Sequence, residues 1–263
     1  MKIIDAHAHI FPEKISEAAV NSIGSFYGLL EMAHGGTSEE LISSGSKIGV
    51  EKYMVFSTAT TPKQVTSINN FIVSECEQHP EFIGVGTMHS EFEDFESEID
   101  RIYRLGIRGI KLHPDFQQFY IDDDKLLPLY AILEDRDMFL ITHSGDYRYD
   151  FSRPERIAKV AKMYPKMRVI AAHFGGWAMW TVARRELTLP NVYIDTSSTL
   201  VFSGDVPAKE AFKAFDNTHI FFGVDFPTWD HTVELEYIMK LGLDDATLEN
   251  VLYNNFNNFY YYK

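Results

Sequence analysis

The chain has very little cysteine, an excess of acidic over basic residues and no long apolar run. Its one cysteine, Cys76, cannot form an intrachain disulfide, which is typical either of a protein from a reducing compartment or of one that needs no disulfides. The 38 acidic residues outnumber the 24 basic ones and give a formal charge of −14, which disfavours nucleic acids and anionic membranes as partners. No apolar run approaches the roughly 18–20 residues of a membrane span, and Asp5 interrupts the N-terminus too early for a signal peptide. We therefore expect a cytoplasmic protein that binds neither nucleic acids nor membranes.

A Gly-x-Gly-x-x-Gly motif is also missing after the first apolar run, so a dinucleotide-binding sheet loses support. What the chain does contain is a series of eight short, β-rich apolar runs. Several are apolar almost throughout, as expected of parallel strands that are covered on both faces. These runs are 2–10, 52–58, 82–89, 107–113, 138–144, 167–174, 191–197 and 219–226.

Helical patterns separate the apolar runs. Between 92 and 105, apolar residues recur every three or four positions among acids, which predicts an amphipathic helix. Segment 62–78 begins with Pro62, a residue suited to the first helical turn. Weaker helical patterns cover 125–136, 154–164, 178–187, 206–215 and 232–241.

Strand followed by helix, repeated along the chain, predicts an α/β protein with a (β/α)8 TIM barrel, formed by a single domain, 1–263. An open, doubly wound sheet is the alternative. The connection 11–37 is long for a loop between a strand and a helix, so we predict a lid-like insertion over the barrel mouth.

Polar side chains stand at the C-terminal ends of four predicted strands. His7 and His9 are two residues apart in the first strand, so they share one face, and Asp5 is expected to lie below them on that face as a supporting hydrogen-bond partner. His143, His173 and Asp225 end three later strands. Because active sites of (β/α)8 barrels lie at this rim, these side chains are expected to converge there.

Converging imidazoles and a carboxylate suit a divalent transition metal, zinc above all. Such an ion lowers the pKa of a water ligand to about 7 and polarises a carbonyl, and His173 is then available as a base or an orienting group. Each residue alone is weak evidence, since a histidine at a strand end is commonly structural. Their recurrence on four strands indicates a metal site.

The fourth strand, in IRGIKLHP, adds Lys111 and His113, which share a face and point inward. We favour Lys111 as a charge partner for the substrate or for an acidic ligand. It is alternatively carboxylated and bridges two metals, or its stem packs while its amine reaches the rim. His113, which precedes Pro114, has either a functional or a structural role.

Two loops near the predicted mouth carry candidate substrate-binding residues. Arg148, between Tyr147 and Tyr149, is suited to clamp a carboxylate in a bidentate way, or it is an exposed arginine in a polar loop. Trp177 either walls an aromatic or unsaturated substrate or packs against its own loop. A basic spot in an acidic protein favours a small anionic molecule as the substrate.

The motifs DAHAHIF, GIRGIKLHP, ITHSG, AAHFGG and GVDFP, with the tail VLYNNFNNF, together resemble the amidohydrolase superfamily. They are most similar to the amidohydrolase-related group, which includes aminocarboxymuconate-semialdehyde decarboxylase. The resemblance spans essentially the whole chain and implies a distorted (β/α)8 barrel with one divalent ion, Zn²⁺ or alternatively Mn²⁺. The ligands carried over by the resemblance are His7, His9, His143 and Asp225.

The resemblance also implies roles for the other residues of this group. His173 acts on water without binding the metal, and Asp225 doubles as proton acceptor. Relatives with a carboxylated lysine on the fourth strand bind two metals, and Lys111 keeps that alternative open. One departure from the family pattern is Val224, because relatives often carry Ser or Thr at this position. Valine lacks the hydroxyl group that Ser or Thr would place beside Asp225.

The resulting hypothesis is a metal-dependent hydrolase that activates water to cleave a C–N or C–O bond in a small carboxylated substrate. A nonoxidative, metal-dependent decarboxylase of a small unsaturated or aromatic acid is the alternative. A noncatalytic barrel is a third hypothesis, and the complete set of ligands argues against it. The resemblance further implies a homodimer or a larger assembly.

Overall fold

The computed structural model describes residues 1–261 except the side chain of Phe202. Its β-strands are all parallel. The short segments Phe82–Gly84 and Gly86–Thr87 belong to one strand that is interrupted at Val85. The N–H of Val85 donates to the carbonyl of Val55 at 2.9 Å. The segments are β1 (Ile3–His9), β2 (Val50–Phe56), β3 (Phe82–Gly84), β4 (Gly86–Thr87), β5 (Gly109–Leu112), β6 (Phe139–Thr142), β7 (Val169–Ala171), β8 (Val192–Asp195) and β9 (Ile220–Phe221).

The strands close into a barrel. Neighbours pair in chain order from β1 to β3 and from β4 to β9. The seam between the last and first strands is held by the N–H of Ala6, which donates to Phe222 O at 2.8 Å, and by the N–H of Asp225, which donates to His7 O at 2.8 Å. All eight predicted strands are present, so the predicted (β/α)8 barrel is confirmed.

The helices alternate with the strands as predicted. The largest difference at a predicted end is three residues, 92 against Phe95. A 3₁₀ turn, Pro62–Gln64, precedes α3, and a π-helical turn, Asn250–Asn254, precedes α13. The helices are α1 (Glu13–Tyr27), α2 (Ser38–Ser46), α3 (Val65–Gln78), α4 (Phe95–Arg104), α5 (Pro114–Gln117), α6 (Leu127–Asp135), α7 (Pro154–Met163), α8 (Trp180–Glu186), α9 (Leu200–Ser203), α10 (Asp205–Ala214), α11 (His231–Lys240), α12 (Asp245–Glu249) and α13 (Asn255–Tyr261).

The tail forms α13, and the last two residues of the segment VLYNNFNNFYYYK lie outside the described residues. Phe256 and Phe259 of α13 pack against inward-facing strand residues, among them Phe139 and Phe221. Burial of each such aromatic side chain stabilises the fold by roughly 1.5–3 kcal/mol. This apolar plug fills one end of the barrel, and the polar residues lie at the other end. Within residues 1–261, no helix is both long and apolar enough to cross a membrane.

Asp5 does not lie on the face that we predicted. The register between β1 and β2 shifts between Asp5 and Ala8, as at a β-bulge, so the alternation of faces changes at that point. Asp5 faces the helical layer, where its Oδ2 lies 3.2 Å from Nε2 of His231, while its Oδ1 accepts from the N–H groups of His7 and Val224. Its supporting hydrogen bonds are therefore present, but they hold the seam of the barrel.

Segment 11–37, predicted as an insertion, contains α1 and the loop that follows it. The N–H of Phe11 donates to Gly36 O at 2.9 Å, and the N–H of His34 donates to Pro227 O at 3.1 Å, so both ends are tied down at the rim. The end of α1 brings Tyr27 over the barrel mouth, within 2.9 Å of His113. Its action as a lid stays a prediction.

Candidate active site

His7 is held by a buried carboxylate. Its Nδ1 lies 2.9 Å from Oδ2 of Asp195, and because a carboxylate can only accept, Nδ1 carries the proton. Burial, reinforced by the positive charge of Lys111, keeps the pKa of His7 well below its usual value, so the ring is neutral. Its Nε2 therefore presents a lone pair toward Asp225 Oδ1, at 3.4 Å, and Lys111 Nζ, at 3.5 Å.

Asp225 follows β9 in a left-handed backbone conformation, with φ of 65°. Its Oδ1 lies 3.6 Å from Nε2 of His9, and its Oδ2 accepts from the hydroxyl of Ser198. Trp229 in turn donates its indole N–H to Ser198 Oγ at 2.8 Å. Burial raises the pKa of Asp225 to about 7, although the Ser198 hydrogen bond and Lys111 act in the opposite direction. Ser198 thus supplies a hydroxyl to this carboxylate, which Val224 cannot do.

His173 is fixed at two of its atoms. Its N–H donates to Asp195 Oδ1 at 3.0 Å, and its Nδ1 lies 2.8 Å from Ser197 Oγ. Ser197 donates its own hydroxyl to Asp195, so it accepts from Nδ1 of His173. The Nε2 atom of His173 then carries a lone pair and faces the cluster. Burial lowers the pKa of His173 to about 4, so the ring is neutral near pH 7.

His143 faces His173 on one side and a carboxyl group on the other. Its Nδ1 lies 3.0 Å from Nε2 of His173, and its Nε2 lies 3.7 Å from Oδ2 of Asp115. The ring stacks on His113 with centroids 4.2 Å apart. Burial raises the pKa of Asp115 to about 6. Among the described residues, neither Nε2 of His143 nor Oδ1 of Asp115 has a hydrogen-bond partner.

The donor set fits a divalent cation. One ligand atom each of His7, His173 and Asp225 lie within 4.8 Å of one another, and His9 lies next to this cluster. Nδ1 of His143 and Nε2 of His173 lie 3.0 Å apart, a distance that is satisfied either by a hydrogen bond from Nδ1–H of neutral His143 or by a cation between the rings. Neutral imidazole and carboxylate are ligands that zinc and manganese accept.

The predicted ligands therefore come together around Asp225, with one difference. His7 and His9 approach Asp225 directly, whereas His143 reaches the cluster through His173. His173, predicted to act without binding the metal, forms the group within 4.8 Å with His7 and Asp225, and His143 is not part of that group. The ligand assignment itself stays a prediction.

Lys111 is fully buried beside this cluster. Its Nζ lies 3.5 Å from Nε2 of His7 and 4.7 Å from the centre of the Phe56 ring. Burial lowers its pKa to about 8, while the carboxylates of Asp225 and Asp195 act to raise it. A lysine held this way places a positive charge at the centre of the site, and its role as charge partner stays a prediction.

Tyr27 and His113 cover the site from the side of α1. Nδ1 of His113 accepts from the N–H of Phe116 at 3.3 Å, so its Nε2 carries the proton and donates to Tyr27 Oη at 2.9 Å. The same hydroxyl lies 3.5 Å from Nδ1 of His143. His113 therefore both caps the short helix α5 and holds Tyr27 in place.

Arg148 is engaged within the protein. Its Nε and Nη2 donate to the buried carboxylate of Asp146, and its Nη1 donates to Phe26 O at 2.6 Å. The guanidinium also lies over the rings of Tyr27 and Trp177. These contacts fix the end of α1 and engage the donors of Arg148 within the protein, and a clamp on a substrate carboxylate stays a prediction. Trp177 lines a small gap with Tyr27 and Asp225, next to the cluster.

Sequence reasoning missed several residues of this site. Asp195 ends the seventh predicted strand and obeys the rule that found His143 and His173, so it was within reach of the same pattern. Asp115 and Ser198 carry no pattern, because their roles depend on the path of loops. Tyr27 lies in the predicted insertion, and nothing in GSFYG shows that its hydroxyl meets the cluster.

Parallel barrel strands with histidines and a carboxylate at one rim define a (β/α)8 barrel with a candidate metal site. The family profile described as Amidohydrolase matches residues 4–260, and the chain belongs to this family. It is an enzyme family of the amidohydrolase superfamily, and the resemblance stated from the motifs is confirmed.

Solved structures show the same fold. An uncharacterized TIM-barrel protein from Bordetella bronchiseptica is 21% identical, with 98% of each chain covered and a TM-score of 0.78. A dihydroxybenzoic acid decarboxylase from Polaromonas sp. JS666, with bound manganese and the inhibitor 2-nitroresorcinol, is 13% identical, with 98% of this chain and 96% of that chain covered and a TM-score of 0.74. A protein assigned as a 2-pyrone-4,6-dicarboxylic acid hydrolase from Pseudomonas putida is 16% identical, with 99% and 98% covered and a TM-score of 0.70.

Proposed function

We propose that this protein is a metal-dependent hydrolase that activates water to cleave a C–N or C–O bond in a small carboxylated substrate. The observation that carries the proposal is a space of about 20 Å³, here called the site cavity, which His7, Lys111, His173 and Asp225 line together with His9. A polar space of this size holds about one water molecule. A water held in this space would lie within reach of both a carboxylate and a neutral imidazole.

The metal in this proposal is held by His7, His9, His143 and Asp225. The geometry also allows His173, which neighbours His143, as a ligand. When bound, a divalent ion supplies Lewis acidity, which polarises a carbonyl group and lowers the pKa of water. Zinc and manganese both suit the donor set, and one ion is proposed. A second ion bridged by a carboxylated Lys111 is the alternative.

The side chains divide the proton transfers between them. Asp225 accepts a proton from water, and since burial raises its pKa to about 7, it exchanges that proton close to neutral pH. Nε2 of His173, with its lone pair facing the cavity, accepts a hydrogen bond and orients the water. The ammonium group of Lys111 offsets negative charge on a substrate carboxylate or on a developing oxyanion.

Segment 11–37 acts as a lid in this proposal. Tyr27 closes the site cavity from above, held by His113 and by the Arg148 contact with Phe26. Exclusion of bulk water by such a segment strengthens the electrostatic interactions inside the site. Substrate entry then requires the end of α1 to move.

The proposed substrate is a small anionic molecule, because a buried lysine stands at the centre of the site of a protein whose formal charge is −14. Nucleic acids and anionic membranes stay excluded from the proposal on the same charge argument. A homodimer is proposed from the family resemblance. Light scattering on the purified protein tests the assembly directly.

A solvent-label experiment tests the hydrolase. The zinc- or manganese-reconstituted protein is incubated in ¹⁸O-labelled water with a panel of small carboxylated lactones, esters and amides, and the products are analysed by mass spectrometry. One labelled oxygen per turnover is expected, with the activity lost in Asp225→Asn. Stoichiometric carbon dioxide from an unsaturated or aromatic acid, with no label in the product, contradicts the hydrolase.

A decarboxylase is the second candidate, and the raised pKa of Asp225 favours it specifically. A carboxyl group with a pKa of about 7 is partly protonated near neutral pH and can donate to carbon. Asp225 would deliver its proton to the carbon that carries the substrate carboxylate, and the carbon–carbon bond would then break with release of carbon dioxide. The manganese-bound decarboxylase with this fold supports the same reaction class. Carbon dioxide measurement on benzoate-type acids separates the two candidates.

A further inference from the structure

The space directly over the cluster is too small for a substrate. The site cavity measures about 20 Å³, and the gap beside Trp177 measures about 10 Å³. Pockets that bury a small organic ligand measure roughly 300–1,000 Å³. The body of a substrate that presents its reactive group to Asp225 must therefore lie in space connected with the site cavity.

A larger cavity lies beside the site, between α1 and the start of α3, and is here called the α1–α3 cavity. Its volume is about 340 Å³. It shares His9, Ile23 and Phe116 with the site cavity, so these three side chains are the border between the two spaces. Because His9 lies 3.6 Å from Asp225, a ligand that crosses this border arrives at the cluster.

The walls of the α1–α3 cavity are largely apolar. Ala19 and Ile23 contribute one face of α1, at helical spacing, and Ile68 and Phe71 contribute the facing side of α3. No Asp, Glu, Lys or Arg occurs among the described residues that line this cavity, and its polar members other than His9 are hydroxyl and amide side chains. An ionised group placed there would lose hydration without gaining a partner of opposite charge, whereas apolar surface gains free energy from burial.

We infer that the α1–α3 cavity binds an uncharged, apolar or aryl arm of the substrate while the acidic end of the same molecule reaches the site cavity. The inference rests on the proposed function and narrows its substrate class. Charge sets the orientation, because the buried cation Lys111 lines the site cavity and is absent from the lining of the α1–α3 cavity. The substrate is then a small acid with an apolar arm on a short linker.

Two adjacent alanines provide the test. Ala19 lines the cavity, while Ala18 is exposed on the same helix, so Ala19→Trp fills the cavity and Ala18→Trp is its matched control. Binding of 4-phenylbutanoate and of acetate is measured by calorimetry on the metal-loaded protein and its variants. The two acids share a carboxylate and differ in the arm. Ser67→Phe, on the α3 side, is a second way to fill the cavity if Ala19→Trp does not fold.

The expected result is that the wild-type protein and Ala18→Trp bind 4-phenylbutanoate at least about tenfold more tightly than acetate, since burial of a phenyl group contributes more than a tenfold change in affinity. The filled variants should bind both acids equally. Equal affinities in the wild-type protein, including no binding of either acid, overturn the inference, and so does a preference that survives in the filled variants. Failure of the proposed function is seen separately, as absent metal or absent ¹⁸O transfer in a protein that keeps the preference for the aryl acid.

Discussion

Nδ1 of His7 lies 2.9 Å from Oδ2 of Asp195, and both side chains are buried. The carboxylate fixes the tautomer of the imidazole and points its other nitrogen toward Asp225. The same carboxylate also accepts from the N–H of His173 and from the hydroxyl of Ser197. Asp195 thus orients two histidines of the site from strand β8, although it does not itself face the site cavity.

Replacement of Asp195 by Asn should weaken metal binding about 10- to 100-fold, the usual effect of losing a partner that orients a histidine ligand. An amide that presents its N–H to Nδ1 would reverse the tautomer and leave a proton on Nε2 of His7. Competitive titration with a chromogenic chelator measures the affinity. Asp216→Asn is the control, because Asp216 is an exposed helix cap and Asn caps equally well. Equal affinity in Asp195→Asn and the wild-type protein would show that His7 is not a ligand held by Asp195.

His143 and His173 should respond differently to truncation. His143→Ala should lose the metal, whereas His173→Ala should keep most of it and lose activity, because His173 is assigned to the water. Metal content after dialysis, measured by mass spectrometry, distinguishes the two. Because Nδ1 of His143 lies 3.0 Å from Nε2 of His173, exchanged roles, with His173 as the ligand, are also compatible with the geometry. Metal retained in His143→Ala and lost in His173→Ala would exchange their assignments.

Arg148→Gln should loosen the end of α1. The guanidinium donates to the carbonyl of Phe26 at 2.6 Å, and a hydrogen bond from a charged group contributes roughly 1.5 kcal/mol, which is about tenfold in a local opening equilibrium. Amide hydrogen exchange around Phe26 and Tyr27 should accelerate by about that factor. Arg153→Gln, which removes only exposed ion pairs with Asp150 and Glu155, should leave exchange in α1 unchanged. Equal protection in the two variants would remove Arg148 from the control of α1.

The buried carboxyl group of Glu234 should make the stability of the protein depend on pH. This carboxyl group of α11 is fully buried, its oxygens have no hydrogen-bond partner among the described residues, and burial raises its pKa well above the usual value. The folded protein therefore holds a proton that the unfolded chain releases above about pH 4.3, so this group lowers the free energy of unfolding as the pH rises above that value. Glu234→Gln should stabilise the protein more at pH 8 than at pH 5, by roughly 1–3 kcal/mol at the higher pH.

Urea denaturation at the two pH values measures this difference. Glu236→Gln is the matched control on the same helix, because Glu236 is exposed and paired with Lys240. It should change stability little at either pH. A gain in Glu234→Gln that is equal at pH 5 and pH 8 would mean that Glu234 is not protonated in the folded protein.

The sequence was sufficient for the strands and for most of the cluster, for a physical reason. Buried parallel strands are apolar throughout, so a polar residue at the end of such a run stands out, as His143, His173 and Asp225 do. His7 and His9 were correctly placed on one face by their spacing of two. The same rule failed for Asp5, because a shift of register between Asp5 and Ala8 leaves no trace in the composition of the strand.

Residues that enter the site through loops were beyond this reasoning. The contact of Tyr27 with His113 joins residues 86 positions apart, and the contact of Ser198 with Asp225 joins residues 27 apart. Such contacts depend on how each loop crosses the rim, which local periodicity does not encode. Arg148 shows the converse, since its neighbours in sequence pointed to a substrate carboxylate whereas Asp146, two residues away, already occupies its donors.

Metal content distinguishes a metal site at this barrel mouth from a metal-free barrel. After reconstitution with zinc or manganese and removal of free ions, we expect about one divalent ion per wild-type chain and almost none in Asp225→Ala, with both proteins folded by circular dichroism. Fewer than about 0.2 ion per wild-type chain, or full metal content in Asp225→Ala, would contradict a metal site built on His7, His9 and Asp225.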